Sequence, residues 1–128
     1  MSAELGQIAV VVSDVDLALG FYRDLLGLRF LFRPGPDLAF LAAGSVRLML
    51  TKPQGHGQVG ANSVLYFKVT ELPARYESLV SQGATEARAP QLTAKLPDHE
   101  LWIGFLKDPD GNLVGLMEER FFDAPRGT

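Results

Sequence analysis

The sequence predicts an α+β fold in which two tandem βαβββ modules form a curved, eight-stranded mixed sheet around a cleft, with the helices on the outer face. The first observation is that each half of the 128-residue chain has a short apolar run leading directly into an amphipathic helix. The second is that three short apolar runs, separated by turn residues, follow each helix. The third is that Val12-Ser13-Asp14 and Val69-Thr70-Glu71 hold equivalent places, which is typical of a duplicated unit.

The first module is predicted over about residues 5–52. Residues 8–12 form its first strand, and the polar residues that follow are suited to cap a helix. Apolar side chains then recur at helical spacing, and Gly27 supplies the left-handed stop that many helices use. Strands are predicted at residues 28–32, 38–42 and 46–51, because turn residues separate these runs.

The second module is predicted over about residues 63–120, between a linker at 53–62 and a tail at 121–128. The linker is rich in glycine and contains His56, so we expect it to be a mobile connection. A strand at 64–69 precedes a helix with Pro73 in its first turn and Gly83 at its end. Strands follow at 83–88, 101–106 and 113–118, and the loop at 89–100 is long enough to act as a lid.

The composition excludes several classes of function. The net charge is −3 and the basic residues are scattered, so the chain has no surface suited to a phosphate backbone. The absence of cysteine excludes disulfides and thiolate catalysis, and it fits a reducing compartment. The apolar run at 8–12 is far too short to span a bilayer. We therefore expect a cytoplasmic protein whose partner is a small molecule rather than a nucleic acid or a membrane.

Several segments in the right order resemble the glyoxalase/bleomycin-resistance/dioxygenase superfamily, the vicinal oxygen chelate proteins. They are the opening residues 8–16, the pair Phe21-Tyr22, the triplet Leu26-Gly27-Leu28, and residues 108–112 followed by 113–119. The resemblance implies that strands from two modules form a cleft, and that metal-dependent members place one His, Glu or Gln ligand on each of four strands. It also implies a homodimer, since members of this fold commonly pair.

The resemblance assigns the four ligand positions to Gln7, Met49, Val64 and Gly115. Only Gln7 carries a side chain that could coordinate a hard or borderline metal ion. Zinc, nickel, iron or manganese needs at least three nitrogen or oxygen donors, and the other three positions supply none. We therefore expect a member of the superfamily that lacks the usual metal ligands and has no cofactor.

Strand alternation sorts the side chains onto two faces. One face is uniformly apolar and is expected to pack under the helices. The other would line the cleft and offers apolar, aromatic and polar side chains suited to an organic ligand with an aromatic or acidic part. The predicted ligand-binding residues are Gln7, Arg47, Met49, Val64, Tyr66, Lys68, Trp102, Gly115 and Met117. The alternative for the Met, Trp and Tyr side chains is that they fill the core.

The segment Asp98-His99-Glu100 is the most concentrated polar stretch and contains the candidate catalytic residues. His99 could act as a general acid or base near neutral pH, with Asp98 or Glu100 orienting its ring. The alternative is a loop histidine that is hydrogen-bonded within its own turn. Glu118 and Glu119 are interpreted as solvated residues near a strand end rather than as replacement metal ligands.

Three functions remain open at this point. The leading hypothesis is metal-independent binding or sequestration of a small organic molecule, similar to the antibiotic-binding resistance proteins of the superfamily. The second is an enzyme, a lyase, isomerase or dioxygenase, that uses an atypical metal site or His99 as acid and base. The third is an accessory subunit that acts only through dimerisation.

Overall fold

The structure is a computed structural model that describes residues 2–55 and 57–122. Its described residues fall into two compact units. The first runs to Ser63 and also includes Asp108–Asn112, whereas the second consists of Val64–Lys107 and the residues from Leu113 onward. His56 and most of the predicted tail lie outside the described residues.

Unit 1 contains the first βαβββ module. Its strands are hydrogen-bonded in the order β1-β4-β3-β2, with β1 parallel to β4 and the other pairs antiparallel. The elements are β1 (Gln7–Val11), α1 (Val15–Leu19), a π-helical segment (Gly20–Leu25), β2 (Arg29–Gly35), β3 (Leu38–Ala43) and β4 (Val46–Thr51).

The helical region of unit 1 matches the predicted helix at both ends and differs from it in the middle. The Asp14 side chain accepts a hydrogen bond from the Leu17 N–H at 3.0 Å, which confirms the predicted cap. Gly27 has a φ of 81°, as the predicted left-handed stop requires. The single predicted α-helix is instead a short α-helix that continues as a π-helix from Gly20.

Unit 2 contains the second module, with strand order β5-β8-β7-β6 and β5 parallel to β8. Its elements are β5 (Leu65–Lys68), α2 (Leu72–Ser81), β6 (Thr85–Lys95), β7 (His99–Lys107) and β8 (Leu113–Phe121). The predicted α+β class and the tandem βαβββ order are confirmed. The eight strands form two separate four-stranded sheets. No helix among the described residues is long and apolar enough to cross a membrane.

The predicted lid loop at 89–100 is wrong, because β6 and β7 form a long antiparallel hairpin with only residues 96–98 between them. Pro90 argues against a strand when only the sequence is considered, because a proline cannot donate a hydrogen bond to a strand ladder. The register shifts between Arg88 and Gln91, so Pro90 sits in an irregularity of an edge strand. The other misleading feature is that β6 is exposed along most of its length and lacks an apolar alternation.

Each sheet buries one face. In unit 1 the alternate residues Val10, Leu48 and Leu50 are at most 2% exposed, which confirms the predicted apolar face. Unit 2 buries Leu106, Val114 and Leu116 together with the apolar side of α2. Burying these side chains supplies most of the driving force for each unit.

The turn at residues 108–112 is organised by the buried carboxylate of Asp108. Its two oxygens accept hydrogen bonds from the Tyr22 hydroxyl at 2.8 Å, the Asn112 N–H at 2.8 Å, the Asn112 side chain at 2.9 Å and the Asp110 N–H at 3.0 Å. Burial and this neighbouring carboxylate raise the pKa of Tyr22, so its hydroxyl stays a donor. The fixed turn also presents Asp110, which accepts from the Ser13 N–H at 3.0 Å.

Asn62 holds the end of the linker within unit 1. Its side chain accepts from the Val11 N–H at 3.1 Å and donates to the Val11 carbonyl at 3.2 Å. The Asn62 N–H lies 3.3 Å from the Asn112 side-chain oxygen. The connection that was expected to be mobile is therefore anchored at this residue.

Glu118 was expected to be a solvated strand end, and the structure shows that this is wrong. Strand β8 is central in its sheet and extends to Phe121. The Glu118 carboxylate accepts from the N–H groups of Glu71 and Leu72, each at 3.0 Å. It therefore caps α2 from a neighbouring strand, which matters because Glu71 has a φ of 52° and its own side chain makes no capping bond.

Replacing Tyr22 with Phe is expected to lower the free energy of unfolding by about 1–3 kcal/mol, because the buried Asp108 carboxylate loses a hydrogen-bond donor. Urea unfolding followed by circular dichroism measures this. Tyr66→Phe is the matched control, since the Tyr66 side chain is 50% exposed. Equal losses in the two variants would contradict a structural role for the Tyr22 hydroxyl.

Glu118→Ala is expected to cost about 1–2 kcal/mol at neutral pH through the lost cap. Burial of this carboxyl favours a higher pKa, but the Leu72 N–H, Arg120 and the Glu71 N–H together hold the pKa below its ordinary value of 4.5. The contribution is therefore complete above that value and is lost as the pH falls through the lowered pKa. Urea unfolding of wild type and variant from pH 7 to pH 3 should show the difference shrinking in acid. A difference that grows in acid would be inconsistent with this, and exposed Glu4→Ala serves as the control.

Candidate functional site

The open face of the unit 1 sheet brings three predicted residues together. Gln7 and Arg47 are register partners, and Met49 is two residues further along β4. The Arg47 Nε donates to the Gln7 side-chain oxygen at 2.7 Å, and the Gln7 side-chain nitrogen lies 3.8 Å from the Met49 sulfur. The sequence pattern therefore placed these side chains on one face correctly.

Two aromatic side chains on the same face were missed. The rings of Phe32 and Phe40 stack at 4.6 Å, and the Arg47 guanidinium lies 5.1 Å from the Phe40 ring. Phe32 is 46% exposed. Extending the strand alternation to the second and third strands would have found them.

Gln7 and Met49, the two ligand positions that the resemblance assigns in unit 1, do not fit a metal ion. The oxygen of Gln7, its only metal-binding donor, already accepts from the Arg47 guanidinium. A cation at that oxygen opposes a second, divalent cation in the same place. Met49 adds only a soft thioether sulfur and no nitrogen or oxygen donor.

Val64 and Gly115, the two ligand positions that the resemblance assigns in unit 2, do not fit a metal ion either. A Cβ added to Gly115 would lie 2.5 Å from the Tyr66 ring, so Tyr66 covers the place where a ligand side chain would begin. Tyr66 is the register partner of Gly115, and its ring packs edge-on against Phe105 at 5.8 Å. Val64 lies one residue before β5, is 38% exposed, and has no donor. Among residues 2–55 and 57–122, no group of three or more His, Asp or Glu could hold a metal.

His99 is the first residue of β7 rather than part of a lid. Its Nδ1 lies 2.7 Å from an Asp98 oxygen, and its Nε2 lies 3.9 Å from a Glu119 oxygen. The ring also packs against Phe121 with the centroids 4.8 Å apart. The hydrogen bond to His99 lowers the pKa of Asp98. Asp98, and not Glu100, is therefore the carboxylate that orients the imidazole.

Glu100 and Trp102 lie on the face of the sheet opposite to His99. Trp102 is the register partner of Glu118, the residue that caps α2. The Trp102 Nε1 donates to a Glu100 oxygen at 3.0 Å, and the Arg120 guanidinium lies 4.6 Å from the Trp102 ring. The prediction that Trp102 lines the same face as Met117 was therefore wrong, because the register partner of Met117 is Ile103.

A pocket of about 570 Å³ opens in unit 2 beside Lys68 and Glu119. The Lys68 nitrogen lies 3.2 Å from a Glu119 oxygen, so the two charges pair within the pocket wall. Phe121 is 56% exposed and presents an aromatic surface. The lining residues are Lys68, Val69, Thr70, Arg75, Glu119 and Phe121. Sequence reasoning had assigned only Lys68 to a ligand site. Thr70 was noted only as part of the duplicated Val69-Thr70-Glu71 segment, and no pattern pointed to Arg75.

A family model for the glyoxalase/bleomycin resistance protein/dioxygenase superfamily matches residues 4–116. The chain belongs to this superfamily. Its expected resemblance is thus confirmed over nearly the whole chain. No curated protein matches this superfamily member significantly.

Solved structures with the same fold include three that differ in their described roles. A member of the superfamily from Sphaerobacter thermophilus is 24% identical with a TM-score of 0.75, covering 93% of this chain and 99% of that one. A lactoylglutathione lyase from Agrobacterium tumefaciens is 21% identical with a TM-score of 0.72, covering 92% and 95%. An antibiotic binding protein from Streptomyces is 23% identical with a TM-score of 0.71, covering 92% and 97%. At these identities the likeness concerns the fold.

Gly115→Ala is expected to lower the free energy of unfolding by about 1–3 kcal/mol, because the new methyl group collides with the Tyr66 ring. In a Tyr66→Ala background the same change should cost close to nothing, since the ring is gone. Urea unfolding of the four proteins gives the coupling between the two positions. Additive effects would show that Tyr66 does not cover Gly115. Gly6→Ala, with no atom within 4 Å of the added Cβ, is the control.

Proposed function

We propose that this superfamily member binds a small organic molecule carrying an acidic group, without a metal ion, in the unit 2 pocket beside Lys68. The observation that carries this proposal is the grouping of Lys68, Thr70 and Arg75 with an exposed aromatic ring in one pocket. The volume of about 570 Å³ falls in the range of small-molecule sites. A protein of the same fold described as antibiotic binding supports this class of function.

The charges around the pocket favour an anion. Lys68 is paired with Glu119, but its side chain is 67% exposed and can turn toward a ligand carboxylate. Arg75 lines the same pocket and offers a planar guanidinium that matches a carboxylate in two hydrogen bonds. The Phe121 ring gives the remainder of the ligand an apolar surface on which to pack.

The donor set supports the proposed metal independence. The four positions implied by the superfamily supply one amide oxygen that is bound by Arg47, one thioether, one valine and one glycine that is covered by Tyr66. A divalent ion needs more nitrogen or oxygen donors than these side chains provide. The cytoplasmic location and the homodimer that the sequence suggested remain predictions.

A second candidate function is acid–base catalysis by His99. The specific observation is that the imidazole lies between two carboxylates, with Asp98 bound to Nδ1 and Glu119 facing Nε2. A carboxylate on Nδ1 fixes the ring and leaves Nε2 to exchange a proton. Phe121 contacts His99 and also lines the pocket, so a bound molecule would lie near the ring.

Binding is tested with a panel of aromatic carboxylic acids and their neutral primary amides, measured by isothermal titration calorimetry at low salt. Arg75→Ala and Lys68→Ala should each weaken acid binding about three- to tenfold, which corresponds to roughly 0.6–1.4 kcal/mol for a charged contact. Affinity for the amides should barely change. Lys107→Ala, an exposed cation of unit 2 outside the pocket lining, is the control.

Two outcomes would reject the proposal. One is that Lys107→Ala weakens acid binding as much as Arg75→Ala does. The other is that acids bind only after Zn²⁺, Ni²⁺ or Mn²⁺ is added and that these ions alone raise the thermal midpoint. Acid–base catalysis is checked by mass spectrometry of any bound acid after incubation. Conversion by the wild type that His99→Gln abolishes supports it, and unchanged compound excludes it for that ligand.

A further inference from the structure

A second pocket of unit 2 lies between α2 and the edge strand β6. Its volume is about 470 Å³, and none of the residues predicted to bind a ligand lines it. It also shares no residue with the pocket beside Lys68. The lining residues are Pro73, Tyr76, Glu77, Val80, Ser81, Glu86, Ala89 and Pro90.

The wall on α2 is one stripe of that helix. Pro73, Tyr76 and Val80 are spaced by three and four residues, so they share a helical face. Tyr76 is 3% exposed, and its hydroxyl donates to the Phe105 carbonyl at 2.7 Å. This hydrogen bond fixes the ring, so the floor of the pocket is rigid.

The wall on β6 exists because this strand is irregular. The register shift between Arg88 and Gln91 displaces Pro90 from the ladder. Pro90 lies over Gly104 of β7, where an added Cβ would come within 3.1 Å of the proline ring. A Cβ there would contact the proline more tightly than ordinary packing does, so Gly104 accommodates the irregularity.

The charge of the pocket is entirely negative. Its two charged residues are Glu77 and Glu86, and no lining side chain is basic. Glu86 is the register partner of Leu106, which is fully buried, so Glu86 lies on the face that α2 covers. Burial first and then the Glu86 charge raise the pKa of Tyr76, which agrees with a carboxylate close to that ring. Neither glutamate forms a salt bridge within the described part of the chain.

We infer that this pocket binds a small hydrophobic organic cation, an ammonium or guanidinium group on an aromatic or aliphatic body. The apolar body would pack against Pro73, Val80 and Pro90, while Glu77 and Glu86 hold the positive charge. The charge preference is opposite to that of the pocket beside Lys68. Binding of a cation here therefore does not depend on binding of an acid in the pocket beside Lys68.

The test uses three probes of the same shape, 1-naphthylmethylamine, 1-naphthalenemethanol and 1-naphthoate, which are a cation, a neutral molecule and an anion at pH 7. Each is titrated into ¹⁵N-labelled full-length protein at low salt, and amide shifts are followed by NMR. The amine should shift the amides of α2 and β6, including Val80 and Ala89, saturably and at lower concentration than the alcohol does. Naphthoate should leave the amides of Val80 and Ala89 unchanged, whether or not it shifts those near Thr70 and Arg75.

Glu77→Gln and Glu86→Gln should each weaken amine binding about three- to fivefold, as expected for exposed charge pairs, and leave alcohol binding unchanged. Both glutamates are exposed, so neither substitution should unfold the protein, and Glu4→Gln in unit 1 is the matched control. The inference is overturned if amine and alcohol bind equally well, if both glutamine variants bind the amine like wild type, or if the shifts centre on Thr70 and Arg75 rather than on Val80 and Ala89.

Discussion

The hydrogen-bonded carboxylate of Asp108 is the constraint on which unit 1 depends. A carboxylate that is only 4% exposed is costly unless its oxygens are satisfied, and here both are. Because the hydroxyl of Tyr22 is one of the donors, the turn at 108–112 is fixed to the helical region of unit 1. That same turn presents Asp110 to Ser13 and Asn112 to Asn62, so the end of β1 and the end of the linker take their positions from it.

At two of the four positions that the resemblance assigns to metal ligands, the residues present make contacts that do not suit a metal ion. The side-chain oxygen of Gln7 accepts a hydrogen bond from the Arg47 guanidinium. At Gly115 the Tyr66 ring occupies the space that a side chain would need. Each contact involves a neighbouring strand residue, Arg47 in one case and Tyr66 in the other. A histidine at position 7 would lie beside the Arg47 guanidinium, and a histidine at position 115 would collide with the Tyr66 ring. The same faces carry a stacked pair of rings, Phe32 and Phe40, and an edge-on pair, Tyr66 and Phe105.

Local patterns predicted the order of elements well, because apolar alternation, the Asp14 cap and the stops at Gly27 and Gly83 are encoded within a few residues. They failed where the determining partner is distant in sequence. Glu118 looked like a solvated strand end because its partners, the N–H groups at 71 and 72, are 47 and 46 residues away. Pro90 looked like a loop residue because the glycine that accommodates it, Gly104, belongs to the next strand. The face of Trp102 required the register of β7 against β8, which residue spacing alone does not supply.

Helix α2 contributes lining residues to both pockets of unit 2. Its first turn is held by the Glu118 carboxylate, and the same helix contributes Arg75 to one pocket and Tyr76 and Glu77 to the other. Consecutive residues on a helix point in directions about 100° apart, so a single anchored helix can present a cation to one side and a carboxylate to the other. A displacement of α2 would alter both pockets together. The cap on the Glu71 and Leu72 N–H groups therefore helps to fix the residues that α2 contributes to both pockets.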